Sequence, residues 1–382
     1  MEPTVHPEIQ RLRDDAHKLS LIEFSQARPT FEMAEPLKTV ATHLWRWRDY
    51  YPMLQRAASL LDVGNTFRRS FMFSNPALFP KAFMTSTLDG ACSLYNPGER
   101  AHVHRHTPSA SRLGLQGVGG FSTVEGEKCS MGKGDLVLTP AGNWHDFGNE
   151  SDAPALFMDV VNDPLCLALG ATFYETGYDE PDSANSTLRV PKKLQTVTHP
   201  LNRSEKLYSI GGLLPKHVRG TRGWNPGASP MYVYRFDQVR EALDRIREDY
   251  TKPHEGVVIE YVNPVTGESA MPTMTFSMQL LRPGETTAQL RSTGSSVNCV
   301  VEGRGSSQVG EKLLEWEPND VFVIPQWTWH QHTNLTNKDV FLFSVSDEAT
   351  MRKLALFRSQ LRKESGEVVE LVDEFRDLRF QS

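Results

Sequence analysis

The sequence predicts a mainly β protein in which one barrel or sandwich unit occurs twice, preceded by a helical arm. Three observations predict it. From Phe67 onward, short alternating stretches are separated by Gly, Pro and Asn turn signals, the texture of barrels and sandwiches. Two halves of the chain then answer each other. Pro97-Gly98-Glu99 recurs as Pro283-Gly284-Glu285, and the run from Asp135 to His145 recurs from Asp320 to His330 with the same step from Asp to His. Finally, clear helical periodicity is confined to the flanks and one connecting stretch.

Composition agrees with that class and excludes others. A chain of 382 residues is long enough for two ordinary domains or one large double barrel. A net charge of −6 implies no general affinity for nucleic acid. Met1-Glu2-Pro3-Thr4 lacks the basic and apolar blocks of a signal peptide, and no apolar run is long enough to span a bilayer. The four cysteines (Cys92, Cys129, Cys166 and Cys299) are scattered with no C-x-x-C pair, so free thiols in a reducing cytoplasm are expected.

In chain order, residues 1–66 read as the helical arm. Ile9, Leu12, Ala16, Leu19 and Ile22 recur at three- and four-residue steps, and Pro29 breaks the pattern. A second helix is expected over Leu37 to Leu61, its aromatic residues serving packing or a subunit contact. Residues 67–165 read as the first barrel, with Glu125-Gly126-Glu127 as a hairpin turn. Residues 166–255 connect the halves. They are irregular to Trp224, after which Asp237 caps a helix whose stripe is Val239, Ala242, Leu243, Ile246 and Tyr250. Residues 256–346 read as the second barrel. In 347–382, Ser346 caps a last helix through Met351, Leu354, Leu356 and Phe357, before a charged tail.

The chemistry concentrates between Pro97 and Asn149. On a strand, residues i and i+2 share a face, so His104 and His106 project together while Arg105 points away. A later strand can bring His145 beside them. Three neutral imidazoles suit Fe, Zn, Cu or Ni and leave coordination positions open. His102 shares the His104 face by parity and competes for a ligand place. In the second half the positions of His104 and His106 fall on Leu290 and Ser292, and only His330 survives, with His332 nearby. One histidine of three holds no catalytic metal, so the second barrel reads as structural.

Arg68-Arg69, Asn75-Pro76, Pro97-Gly98-Glu99, His104-Arg105-His106-Thr107, Arg112 and Trp144-His145-Asp146, with Pro272-Thr273-Met274 and Trp329-His330, carry a family resemblance. The chain, from about Phe67 to Arg358, resembles the bicupin ring-cleaving dioxygenases that act on gentisate, salicylate and 1-hydroxy-2-naphthoate. The resemblance implies a double-stranded β-helix of two jelly-roll barrels and a homo-oligomer, a tetramer by family analogy. It implies Fe(II) on His104, His106 and His145, and O2 with a small aromatic ortho-hydroxy carboxylate as substrates. Arg68 and Arg112 would bind the substrate carboxylate, which suits a guanidinium fork. Asp159 would make a hydrogen bond to a ligand histidine. The expected reaction is of extradiol type, oxygen entering between the hydroxyl-bearing and carboxyl-bearing carbons.

Three positions depart from the family pattern. Asp89 stands where the family usually has Trp, Ser93 where it often has Gln, and Phe147 where it usually has His. Phe147 cannot donate a hydrogen bond to the second hydroxyl of gentisate, and the smaller side chains enlarge the pocket. A 5-substituted salicylate (nitro, halo or amino) or a fused-ring substrate is therefore expected in preference to gentisate, and Asp89 can accept from an amino group. Two other classes compete. A Zn or Mn isomerase or hydrolase often adds a carboxylate ligand that the His104–His106 stretch lacks. A binding bicupin would have lost its histidines in both halves.

Overall fold

The computed structural model describes residues 6–61, 63, 69–176, 196–215, 227–249 and 251–371. It divides into two compact units, Met1–Lys38 and Thr39–Ser382. In the first, a helix spans Pro7–Lys18 and a short one Phe24–Ala27, with Ile9, Leu12, Leu19 and Ile22 exposed. None of the described helices is long and apolar enough to cross a membrane.

The second unit is a pair of jelly-roll barrels, as expected. In the first barrel one sheet runs Val233–Tyr234, Leu136–Thr139, Ala110–Gln116, Ala155–Val161, Asp89–Tyr95, Ser70–Met72. The facing sheet runs Tyr174–Thr176, His104–His106, His145–Asn149, Gly120–Val124, Glu127–Met131. Alternation explains what lies where. Tyr95, Phe157 and Val137 join Phe147 and Cys129 in the barrel interior. Their neighbours Leu94, Met158, Leu136 and Leu138 point the other way, into a core shared with Met278, Val297, Val323 and Phe343 of the second barrel. The second barrel repeats the plan, with its own interior around Trp316, Phe322 and Leu342.

The repeated motifs have local work in both barrels. Gly98 and Gly284 sit at φ 77° and 72°, a region that disfavours side chains. The next glutamate turns back: Glu99 accepts from the Asn96 amide at 2.6 Å, and Glu285 from the Arg282 amide at 2.7 Å. Glu99 also holds buried Arg69 in an ion pair. Asp135 accepts from the Gly132 amide and Asp320 from the Glu317 amide, closing equivalent turns.

Each of those aspartates also caps a helix from outside its own stretch, which corrects two expectations. Asp135 accepts the Phe236 amide at 2.9 Å, at the start of the Phe236–Ile246 helix; Asp237, the expected cap, lies inside the first turn. Tyr250 of the expected stripe falls outside the described residues. Asp320 accepts the Trp47 amide at 2.7 Å, at the start of the Trp47–Leu60 helix. A carboxylate there meets the positive end of the helix dipole, and such a cap is worth about 1 kcal/mol. The segment expected to be helical from Leu37 thus begins with a strand, His43–Trp45, which pairs with Val321–Ile324 and completes the second barrel's sheet. Val233–Tyr234 does the same for the first barrel.

The last helix is shorter than expected. It covers Glu348–Lys353, and Leu354 to Phe357 follow it. The chain then forms strands Ser359–Arg362 and Val368–Glu370 on the second barrel, because Leu290 and its neighbours offer an edge to pair with.

Candidate metal centre

His104 and His145 are directly paired residues on adjacent antiparallel strands, and His106 follows on the His104 face. The ring centroids lie 4.2 Å (His104–His145), 4.9 Å (His106–His145) and 5.5 Å (His104–His106) apart. One ligand atom from each falls within 4.8 Å of the other two, so the three can hold one metal ion. His102, the competitor by parity, does not belong to this cluster.

The tautomers are set by the backbone. Nδ1 lies 2.7 Å from the His102 carbonyl in His104, 2.6 Å from the Pro108 carbonyl in His106, and 2.9 Å from the Asn143 carbonyl in His145. A carbonyl oxygen only accepts, so each Nδ1 carries the proton and Nε2 is the basic nitrogen. Three like tautomers aimed inward form a donor set that fits a mid-row divalent ion.

Arg112 lies in the same barrel interior. Its position is on a strand between those of Asp159 and Val137, directly paired with both. It is buried, donates to Asp159 at 2.6 Å and to Ser122 at 2.5 Å, and stacks on Phe147 with 3.6 Å from guanidinium carbon to ring centre. Phe147 also meets His104 edge-on at 6.4 Å. One aromatic ring therefore touches both the arginine and a histidine of the cluster. The partner expected for Asp159 is corrected here: its carboxylate pairs with Arg112, because cross-strand register places the two side by side.

The remaining expected residues are placed as follows. Asp89 is buried and has the strand parity of Ala91, Ser93 and Tyr95, whose last member points into the barrel. Ser93 is buried, with its hydroxyl 2.5 Å from that of Ser70. Arg68 lies outside the described residues. Two contributors were not singled out from sequence. Ser122 holds Arg112, and Tyr174 stacks on His104 at 5.4 Å and on His106 at 5.9 Å. Tyr174 lies in a stretch that reads as irregular, and its placement depends on strand pairing.

The second barrel carries the register without the ligands. Leu290 pairs with His330 as His104 pairs with His145. His332 is buried with Nδ1 2.7 Å from Ser307 Oγ, and burial, followed by the charge of His330, pushes its pKa down to about 3. Below the ordinary imidazole range the unfolded chain then binds a proton that the folded chain refuses. Stability from this group is complete above about pH 6.5 and is lost as pH falls towards 3. His332→Gln should therefore show a shallower loss of stability between pH 6.5 and 4 in urea titrations. An unchanged slope would show that His332 does not contribute to acid unfolding.

A jelly-roll barrel with three inward imidazoles defines the class: a cupin with a site suited to a metal. The cupin-domain family matches residues 93–161 and 277–346, one stretch in each barrel. The chain is 33% identical to 5-aminosalicylate 1,2-dioxygenase of Comamonas sp, over 92% of this chain and 90% of that protein. It is 32% identical to gentisate 1,2 dioxygenase 1 of Aquipseudomonas alcaligenes, over 94% of this chain and 99% of that protein. Salicylate 1,2-dioxygenase from Pseudoaminobacter salicylatoxidans, solved with gentisate, superposes with a TM-score of 0.82 at 28% identity, covering 95% of this chain and 96% of that one. The chain belongs to the bicupin family of gentisate- and salicylate-type 1,2-dioxygenases.

Proposed function

We propose that this chain is a non-haem Fe(II) dioxygenase of extradiol type that opens the ring of a 5-substituted salicylate between the hydroxyl-bearing and carboxyl-bearing carbons. The observation that carries it is the stack of buried Arg112 on Phe147, beside His104, in a barrel whose three imidazoles converge. Bound at those imidazoles, Fe(II) would supply open coordination positions and a path for electron density from ring to oxygen. The protein's part is recognition and positioning. Arg112 gives an anion a fixed, permanently charged fork, and Asp159 and Ser122 stop that fork from turning. Two of its five N–H donors are used in this way, and a substrate carboxylate takes others.

Phe147 supports the substrate preference. A ring that serves as the arginine's platform presents no donor to the second hydroxyl of gentisate. An apolar or halogen substituent at that position loses nothing against it. Asp89, buried on the interior parity of its strand, offers an acceptor that suits an amino group.

The test is oxygen uptake by anaerobically Fe(II)-loaded protein with gentisate, salicylate, 5-nitro-, 5-chloro- and 5-aminosalicylate, and 1-hydroxy-2-naphthoate. The highest kcat/KM is expected with a 5-substituted salicylate, with one O2 consumed per opened ring. A preference for gentisate would remove Phe147 as the discriminator. No uptake with any compound, at full iron occupancy, would overturn the reaction class.

A further inference from the structure

Tyr174 has no counterpart in the repeated motifs, yet it lies against both imidazoles of the histidine strand. The Tyr174–Thr176 strand pairs antiparallel with His104–His106, placing Tyr174 opposite His106 and Thr176 opposite His104. Directly paired residues project to the same face, so the Tyr174 ring joins the imidazoles. It lies nearly parallel to His104, at 15°, and to His106, at 23°. The residue is 49% exposed, so it stands at the solvent side of the cluster.

The register that brings it there is fixed from the opposite face. Arg105 points away from the imidazoles and donates twice to Glu175, at 3.0 and 2.6 Å, while stacking on Trp144. Thr107 and Phe173 exchange hydrogen bonds at the end of the pair. None of these contacts uses the tyrosine ring.

The second barrel supplies an internal control. Its equivalent strand, Ser359–Arg362, pairs with Gln289–Ser292, and the residue opposite Ser292 is Ser359. Opposite the second histidine position stands Tyr174 in the first barrel, where His106 remains, and Ser359 in the second, where Ser292 replaces it; opposite the first stand Thr176 and Leu361.

We propose that Tyr174 is a positioning residue of the metal centre, acting through His104 and His106. Each imidazole is tethered at Nδ1, which leaves it able to tilt about that hydrogen bond. The face of Tyr174 blocks the tilt for two of the three rings. Its π electrons also favour the positive charge that the imidazoles share when a cation is bound. The inference rests on the metal reading above, and deepens it.

The experiment is Co(II) titration of the metal-free full-length chain, reading affinity and the visible ligand-field spectrum, for the native protein and for Tyr174→Ser, Tyr174→Phe and His104→Ala. Tyr174→Ser installs the residue of the second barrel. It should weaken Co(II) binding about tenfold, the lower range for an outer-sphere partner, and shift the spectrum. Metal-free thermal unfolding should stay native-like, since the strand keeps its clamp. Tyr174→Phe should bind as the native chain does. Native affinity and spectrum in Tyr174→Ser would overturn the proposal, as would a Phe variant as impaired as the Ser variant. Native Co(II) binding by His104→Ala would instead overturn the metal centre itself.

Discussion

Replacing His104 by alanine is expected to abolish tight metal binding, and ring cleavage with it, while the chain stays folded. His104 is fully buried, and its Nδ1 proton already belongs to the His102 carbonyl, so the ring has one basic nitrogen to offer and it faces His106 and His145. Removing it leaves two imidazoles. The loss should exceed the roughly 10–100-fold that deletion of an outer-sphere partner costs. Folding rests elsewhere, on the core shared by the two barrels and on turns closed by Glu99 and Asp135. Metal content by mass spectrometry, set beside thermal unfolding of the metal-free forms, checks both halves. Native metal content in the variant would remove His104 from the ligand set.

Arg112→Ala should have two separable effects, because the arginine has two partners of different kinds. Towards substrate, it should lower kcat/KM for ortho-hydroxy carboxylates by about a hundredfold, the lower range for losing one partner of a buried charge pair, with metal content unchanged. Towards the fold, it strands the Asp159 carboxylate in the barrel interior, which costs about 3–5 kcal/mol. Arg112→Ala with Asp159→Asn removes both charges. The double variant should regain most of the stability and none of the substrate recognition. Recovery of activity in it would mean that the single variant failed by unfolding and that Arg112 does not bind substrate.

Asp159 shows where reading along the chain reaches its limit. Its acidity and its strand were legible, and so was its place near the site. Its partner was not, since Arg112 is 47 residues away and meets it only through antiparallel register. The same holds for Asp135 and Asp320. Their recurrence was plain, yet their helices start at Phe236 and Trp47, far from either motif. Asp237 was the nearer candidate for a cap and was outcompeted by a carboxylate delivered by the fold.

The sequence by itself determined the features that depend on neighbouring residues. The parity of His104 and His106, the glycine turn before each motif glutamate, the hairpin at Glu125-Gly126 and the duplication of one unit all follow from spacings of a few residues. The repeat also set Leu290 and Ser292 at the positions of His104 and His106. Only the tertiary structure decided which strands lie side by side: Tyr174 over the imidazoles, Phe147 beneath Arg112, and the His43–Trp45 strand in the second barrel. The reason is that backbone N–H and C=O groups are alike at every position. They specify that a strand must pair, and the choice of partner falls to the packing of faces across the whole chain.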